Sequence, residues 1–411
     1  MAQCARGTSC RRSILRIVDA GDLNAYALEA MLDDAHPVKV AATNWGSAVL
    51  PQQTKLDPEW MVDRPTWEQA GAYGLLGMHL PSSRGGSDAS AVDIALTFEG
   101  LGASSADNGV IFAIASHALT ATRAFAASGS EEQLDRWAPG LASGAVFASF
   151  AMSEADAGSH PWNLSTRAVA QSDGSWVLNG SKAWVTLGPL CDVAIIFAAT
   201  DPEKGQWGIS AFIVPADTPG FERMPATQKM GMSACPFGEL RLTDCHLGPE
   251  SLLGKAGAGA SIFSRTVEAE RAFLYASQIG SVERSLASAV EYARLRRQGD
   301  VHVGSHQAVS HRLVDIKLHH EAARLLLYKT AARHDRGQAI ALEAALTKLM
   351  ASETGVQASI DAMRTFGAAG YTTELGIESE IRDALGGLAY SGTPDVTRNI
   401  VATQLGLARP L

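Results

Sequence analysis

The chain has 411 residues, of which 46% are hydrophobic and 19% charged, the composition of an ordinary globular protein. That length exceeds what one hydrophobic core supports, so two or three packed regions are expected. A formal net charge of −9 excludes the basic face of a nucleic-acid binder.

Three regimes follow one another along the chain. Residues 20 to about 145 are rich in Ala and Leu at helical spacing, as in Ala91–Leu101 and Ile111–Phe125, with a loop at Pro81–Ser87. From about 147 to 250 short β-type runs take over. Trp176–Leu178 precedes Asn179-Gly180, read as a hairpin turn, and Lys182–Thr186, Val193–Phe197 and Ile209–Val214 read as further strands. From 257 to 405 helices return, with long apolar-periodic stretches at Ser261–Arg297, Gln307–Arg336 and Ile340–Thr365. The pattern predicts an α+β multi-domain chain. It comprises an N-terminal α-helical domain (1–146), a middle β-domain (147–255) and a C-terminal α-helical bundle (256–411).

Five cysteines (Cys4, Cys10, Cys191, Cys235, Cys245) form no Cys-x-x-Cys pair, which reads as reduced thiols in a cytoplasmic protein. No apolar run approaches the roughly 18 residues of a membrane span, so no membrane partner is expected. The arginines Arg6, Arg11, Arg12 and Arg16 are not followed by a secretory apolar core, and Arg409-Pro410-Leu411 matches no address signal. Among the histidines, His302, His306, His311, His319 and His320 lack a third ligand fixed beside them, so no metal is assigned. Gly254–Gly259 lacks the Gly-Lys-Ser/Thr ending of a phosphate loop and is read as a helix entry.

Several strings, in order, resemble the acyl-CoA dehydrogenase family along nearly the whole chain. Phe150-Ala151-Met152-Ser153-Glu154-Ala155-Asp156-Ala157-Gly158-Ser159 is similar to the family's aromatic-x-x-Thr/Ser-Glu-x-x-Ala-Gly-Ser motif. The resemblance implies that Phe150, Met152 and Ser153 touch the isoalloxazine of FAD and that Ser159 lies near the acyl carrier. Asn179-Gly180-Ser181-Lys182-Ala183-Trp184-Val185-Thr186 resembles N-G-x-K-x-W-I-T, so Trp184, Val185 and Thr186 are expected to frame the flavin. Ala211–Val214 with Thr218-Pro219-Gly220, then Lys229-Met230-Gly231, resembles the remaining strands of that domain.

In the helical half, Tyr292–Arg296 through His306-Gln307 resembles the region where the family's Arg and Gln hold the FAD pyrophosphate and adenosine. Arg296 and Gln307 are the matching residues, although Gly299-Asp300 replaces the usual Phe-Gly. Arg364–Tyr371 resembles the loop that reaches a neighbouring subunit's FAD, through Arg364, Gly367 and Ala368. Arg382-Asp383-Ala384 and Tyr390-Ser391-Gly392-Thr393-Pro394-Asp395 resemble R-D-A and Y-E-G-T-x-Q/E, implying FAD contacts at Thr393 and Asp395 and substrate contacts at Ser391 and Gly392.

Oxidising a Cα–Cβ bond needs a carboxylate for the α-proton while the β-hydrogen leaves as hydride to the flavin. Many members carry it at the position held here by Ser391, a hydroxyl too weak for the task. Isovaleryl- and long-chain-type members carry it instead on a helix before an Arg, and Glu270-Arg271 matches that site. Glu270 is the expected base, with Arg271 and Glu268 near the substrate. The resemblance further implies an all-α N-terminal domain, a β-barrel-like middle domain and a C-terminal four-helix bundle. It also implies an acyl thioester substrate on coenzyme A or a carrier protein, an electron-transfer flavoprotein as acceptor, and a homodimer or homotetramer. A flavin monooxygenase or oxidase on the same fold, or a non-catalytic acyl- or FAD-binding protein, remains open at this point.

Overall fold

The computed structural model describes residues 28–52 and 60–407. Cys4, Cys10, the N-terminal arginines and Arg409-Pro410-Leu411 lie outside the described residues. The N-terminal region comprises α1 (Leu28–Met31), α2 (Pro37–Val49), α3 (Arg64–Tyr73), α4 (Ala91–Ala103), α5 (Asn108–Ser116), α6 (Thr122–Ser128) and α7 (Glu131–Ser143). Local chemistry sets the helix ends. Asp63 caps α3 by accepting from the Thr66 N–H, and Gly74 ends it at φ +100°. Ser130 and Gln133 form a reciprocal capping box at α7.

A π-helical turn, His117–Ala121, joins α5 to α6. Together Asn108–Ser128 makes a 21-residue helix apolar enough, by length and composition, to cross a membrane. This corrects the expectation that no such run exists. In this fold the helix is a core element, and 67% of its most apolar window is buried inside the protein.

The middle region has eight strands: β1 (Ala148–Ala151), β2 (Arg167–Ala170), β3 (Trp176–Thr186), β4 (Val193–Ala199), β5 (Ile209–Pro215), β6 (Phe221–Arg223), β7 (Phe237–Leu247) and β8 (Leu252–Leu253). They hydrogen-bond in the order β6-β7-β3-β2-β4-β5-β8, with β1 parallel to β4. Every residue of β4 is buried, which its uninterrupted apolar run requires of a central strand. Asn179-Gly180 is no turn: it lies inside β3, opposite a bulge in β7 where Thr243 and Asp244 face Asn179. The Asn179 amide exchanges hydrogen bonds with Asp244 on β7, and Gly180 takes φ +144° with Thr166 against it. Lys229-Met230-Gly231 is likewise not a strand but coil between β6 and β7.

The C-terminal region comprises α8 (Gly259–Phe273), α9 (Ala276–Leu295), a hairpin of β9 (Arg297–Gln298) and β10 (Val301–His302), α10 (Gln307–Asp335), α11 (Ala341–Phe366), α12 (Ala368–Tyr371), α13 (Ile377–Gly386) and α14 (Pro394–Gln404). The apolar-periodic stretch Ser261–Arg297 forms two helices, α8 and α9, which meet at Leu274-Tyr275. His302 lies on β10 and His306 precedes α10.

A buried ionic cluster ties the two helical regions together. The Glu99 carboxylate of α4 meets Lys39 of α2 at 3.0 Å and Arg324 of α10 at 2.7 Å, and accepts a hydrogen bond from the Tyr328 hydroxyl. Glu99, Glu283 and His320 offer ligand atoms within 4.8 Å of one another, but Lys39 and Arg324 already neutralise these carboxylates.

Candidate active site

Helix α8 is docked tightly on the sheet. Gly257 donates its N–H to Ser210 Oγ at 2.9 Å, and a Cβ on Gly259 would lie 2.7 Å from the Ile209 carbonyl oxygen. This fixes the inward face, which carries Thr266, Ala269, Glu270 and Phe273 at helical spacing. Glu270 is 7% exposed, a carboxylate on an apolar stripe, so it is not the solvent-facing partner of Lys255 or Arg271 that helix statistics favour.

A second segment, 121 residues further on, meets it. Between α13 and α14 the chain turns through Ser391 (φ +56°) and Gly392 (φ +88°), two successive left-handed residues. That turn delivers the Ser391 hydroxyl to Glu270, to which it donates a hydrogen bond. Arg271 Nε donates to the Ser391 carbonyl at 3.2 Å, and the Tyr275 hydroxyl donates to the carbonyls of Gly387 (2.7 Å) and Tyr390 (3.3 Å). Tyr390 is flanked by Phe112 and Tyr275, with ring centroids 4.6 and 5.1 Å away. Burial pushes the Glu270 carboxyl up to about 7, against opposing pulls from the Ser391 hydroxyl, Arg271 and Lys348. A carboxyl so placed exchanges its proton near neutral pH. Thr393 caps α14 by accepting from the Val396 N–H, and Asp395 is exposed in its first turn. Glu268 is half-buried, two positions from Glu270.

A second cluster of the expected residues lies on and beside β1 and β3. Glu154 is buried and meets Lys182 at 2.7 Å, while Lys182 also donates to the Met152 carbonyl at 3.0 Å. Burial raises the Glu154 carboxyl, but Lys182 and hydrogen bonds from Ser165 and Thr166 outweigh it and hold it at about 2. Ala183 donates to the Ser153 carbonyl at 2.9 Å, and Ser149 Oγ to that of Thr186 at 3.0 Å. With the strand pinned on both sides, a register shift turns Trp184 out at φ +58°, leaving its ring 59% exposed and stacked on Phe237. Val185 is 2% exposed, so only its backbone can reach a ligand. Phe150 likewise turns inward, against Phe197 and Phe263.

The remaining expected residues lie elsewhere. Ser159 is in an exposed loop after β1. Arg296, Gln307, Arg364, Gly367 and Ala368 are exposed at one end of the bundle, where Tyr292 and Phe366 pack at 4.5 Å. Gly367 is nineteen positions along α11 from Lys348, about 28 Å of helix, so these residues and Glu270 belong to opposite ends of the bundle. Sequence reasoning missed Lys348, Tyr275 and Phe112, and the pairing of Glu154 with Lys182. A lysine among Ala344, Ala345, Ala351 and Ser352 on an apolar helix face was the available signal for the first.

The donor set suits a flavin dinucleotide. An outward-turned indole offers a stacking face, and exposed guanidinium, carboxamide and hydroxyl groups suit a pyrophosphate and polyol.

Three family models match in chain order: acyl-CoA dehydrogenase N-terminal domain (residues 39–145), middle domain (149–245) and C-terminal domain (257–406). The chain is 37% identical over 341 residues to the L-prolyl-[peptidyl-carrier protein] dehydrogenase of Pseudomonas fluorescens, covering 83% of this chain and 90% of that one. Two solved structures superpose with a TM-score of 0.88 at 34% identity and 91% coverage of this chain. One is PigA with FAD and proline (98% of that chain), the other the prolyl acyl carrier protein oxidase AnaB (99%). The cofactor is FAD. The chain belongs to the acyl-CoA dehydrogenase family of oxidoreductases.

Proposed function

We propose that this chain dehydrogenates the Cα–Cβ bond of an acyl group held as a thioester on a carrier protein, an L-prolyl group being the acyl unit favoured. The observation that carries the reading is the meeting of Glu270 with Ser391 in a desolvated centre. Glu270 takes the α-proton on a carboxylate oxygen, and the β-hydrogen leaves with its electron pair. FAD, when bound, supplies the acceptor for that hydride. Arg271 fixes the Ser391 turn, whose backbone N–H we assign to the thioester carbonyl. Similarity to prolyl-carrier dehydrogenases supports both the carrier and the acyl unit.

In this reading Met152, Ser153, Trp184 and Thr186 frame the ring, with Thr393 and Asp395 beside them. Arg296 and Gln307 serve the pyrophosphate and adenosine, and Arg364, Gly367 and Ala368 reach into a second copy of the chain. The distance between the two ends of the bundle supports that assembly. So does an exposed apolar row, Val314, Leu318 and Leu325, on one face of α10. Ser159, Glu268 and Gly392 are assigned to the carrier side, a flavoprotein to electron acceptance, and the cytoplasm to its location.

The test mixes flavin-loaded protein anaerobically with L-prolyl-carrier, other acyl-carrier and acyl-CoA thioesters, and follows flavin bleaching with Glu270→Gln in parallel. Bleaching by a carrier thioester that the variant cannot perform supports the reading; faster bleaching by free acyl-CoA overturns the carrier. Likeness to the carrier protein oxidase favours a second reading, in which dioxygen is the acceptor. Rapid reoxidation on admitting air, without any flavoprotein, would select it.

A further inference from the structure

One charged group in the centre has no structural bond to explain it. Lys348 is 0% exposed, and its Nζ has no hydrogen-bond partner among the described residues. What it does face is the ring of Tyr275, whose centroid lies 5.7 Å from Nζ. Tyr275 in turn holds the turn that brings Ser391 to Glu270. A buried, unbonded ammonium is costly, and the cost is offset only where its charge acts on a neighbour.

We propose that Lys348 is a positioning residue that supports the ionised form of Glu270 across the Tyr275 ring, keeping the base available at neutral pH. Its catalytic meaning rests on Glu270 being the base; the coupling itself does not. Glu270 is faced by Arg271 on its own helix, by Lys348 from α11, and by the hydroxyls of Tyr275, Tyr390 and Ser391. Arg271 acts on Glu270 more strongly than Lys348 does, and it also donates to the Ser391 carbonyl. Lys348 is faced by Arg271, Arg398 and Glu353 as well as Glu270. Burial and Arg271 push Lys348 down to about 8, while the Glu270 carboxylate pulls it up and Lys348 in turn pulls Glu270 down.

The experiment titrates Glu270 directly by infrared difference spectroscopy of the flavin-loaded protein without substrate, its carboxyl band identified by its loss in Glu270→Gln. Lys348→Met, near in volume and apolar, is expected to fold and to raise the midpoint by roughly one pH unit. Lys348→Arg should restore it, and the acid limb of kcat should move with the midpoint while KM stays put. An unmoved midpoint in Lys348→Met overturns the proposal. Lys348→Gln is the second variant should Met disturb packing, and an unmoved midpoint there is equally decisive. A midpoint that moves in a protein no thioester bleaches keeps the coupling and removes the dehydrogenase reading. Intact bleaching with an unmoved midpoint does the reverse.

Discussion

Glu270→Gln should make the protein more stable at alkaline pH and no more stable at acid pH. The folded carboxyl stands at about 7 against an ordinary 4.5. The folded state therefore binds the proton more tightly than the unfolded chain. The stabilisation this gives is complete below pH 4.5 and is lost as pH rises through 7. At 1.36 kcal/mol per pH unit, keeping the carboxylate ionised inside the fold costs about 3 kcal/mol above pH 8. Glutamine keeps an oxygen for the Ser391 hydroxyl and carries no charge, so the variant escapes that cost. Asp383, which burial also raises to about 7, is present in both proteins and cancels in their difference. Calorimetry of the two flavin-loaded proteins at matched pH values from 5 to 8.5 should show a gap in melting temperature that opens between pH 5 and 8. A gap equal at both ends would refute the argument, because it would mean that Glu270 has the same proton affinity folded and unfolded.

Removing the hydroxyl in Ser391→Ala takes away a donor that favours the charged carboxylate, so the acid limb of the rate should move up by about one pH unit; a pH–rate profile checks it. Lys182→Met leaves Glu154 buried and unpaired, which should cost about 3–5 kcal/mol and loosen flavin retention, read by denaturant unfolding and by absorbance after gel filtration. Trp184→Ala should leave stability within about 0.5 kcal/mol, since the ring is mostly exposed, while lowering FAD affinity in a fluorescence titration. Gly180→Ala puts a Cβ 2.6 Å from Thr166 Oγ1 at φ +144° and should destabilise the sheet by about 1–3 kcal/mol, read by thermal unfolding.

Much of this architecture was legible because period and punctuation agree with tertiary position. The run Val193–Phe197 reads as a strand and is the buried centre of the sheet; Ile340–Thr365 reads as one helix and is one. The failures have local causes. Asn179-Gly180 has the chemistry of a turn, but Asp244 in a bulge of β7 satisfies the Asn179 side chain and the pair continues the strand. The break at Leu274-Tyr275 has no Gly or Pro to announce it. Asn108–Ser128 shows that the arithmetic of apolar length cannot tell a core helix from a spanning one. The bundle-end residues were nameable by resemblance alone, since exposure on one chain does not say which copy they serve.

The meeting of Glu270 and Ser391 explains a departure that the sequence left as a gap. The half-buried Ser391 and the buried Glu270 are within hydrogen-bonding distance. Two carboxylates so close could not both ionise: one would stay protonated well above its ordinary range, and the pair would hold a proton where an empty base is needed. A glutamate on the turn and a glutamate on α8 are therefore mutually exclusive solutions to one problem. In the proposed reading the serine suits a base on α8, being a neutral donor that favours the charged form of its neighbour. The left-handed backbone at Ser391 and Gly392 belongs to the turn whichever residue bears the charge. With Glu270 as the proposed base, the change rests on two side chains 121 residues apart in sequence that meet across one hydrogen bond.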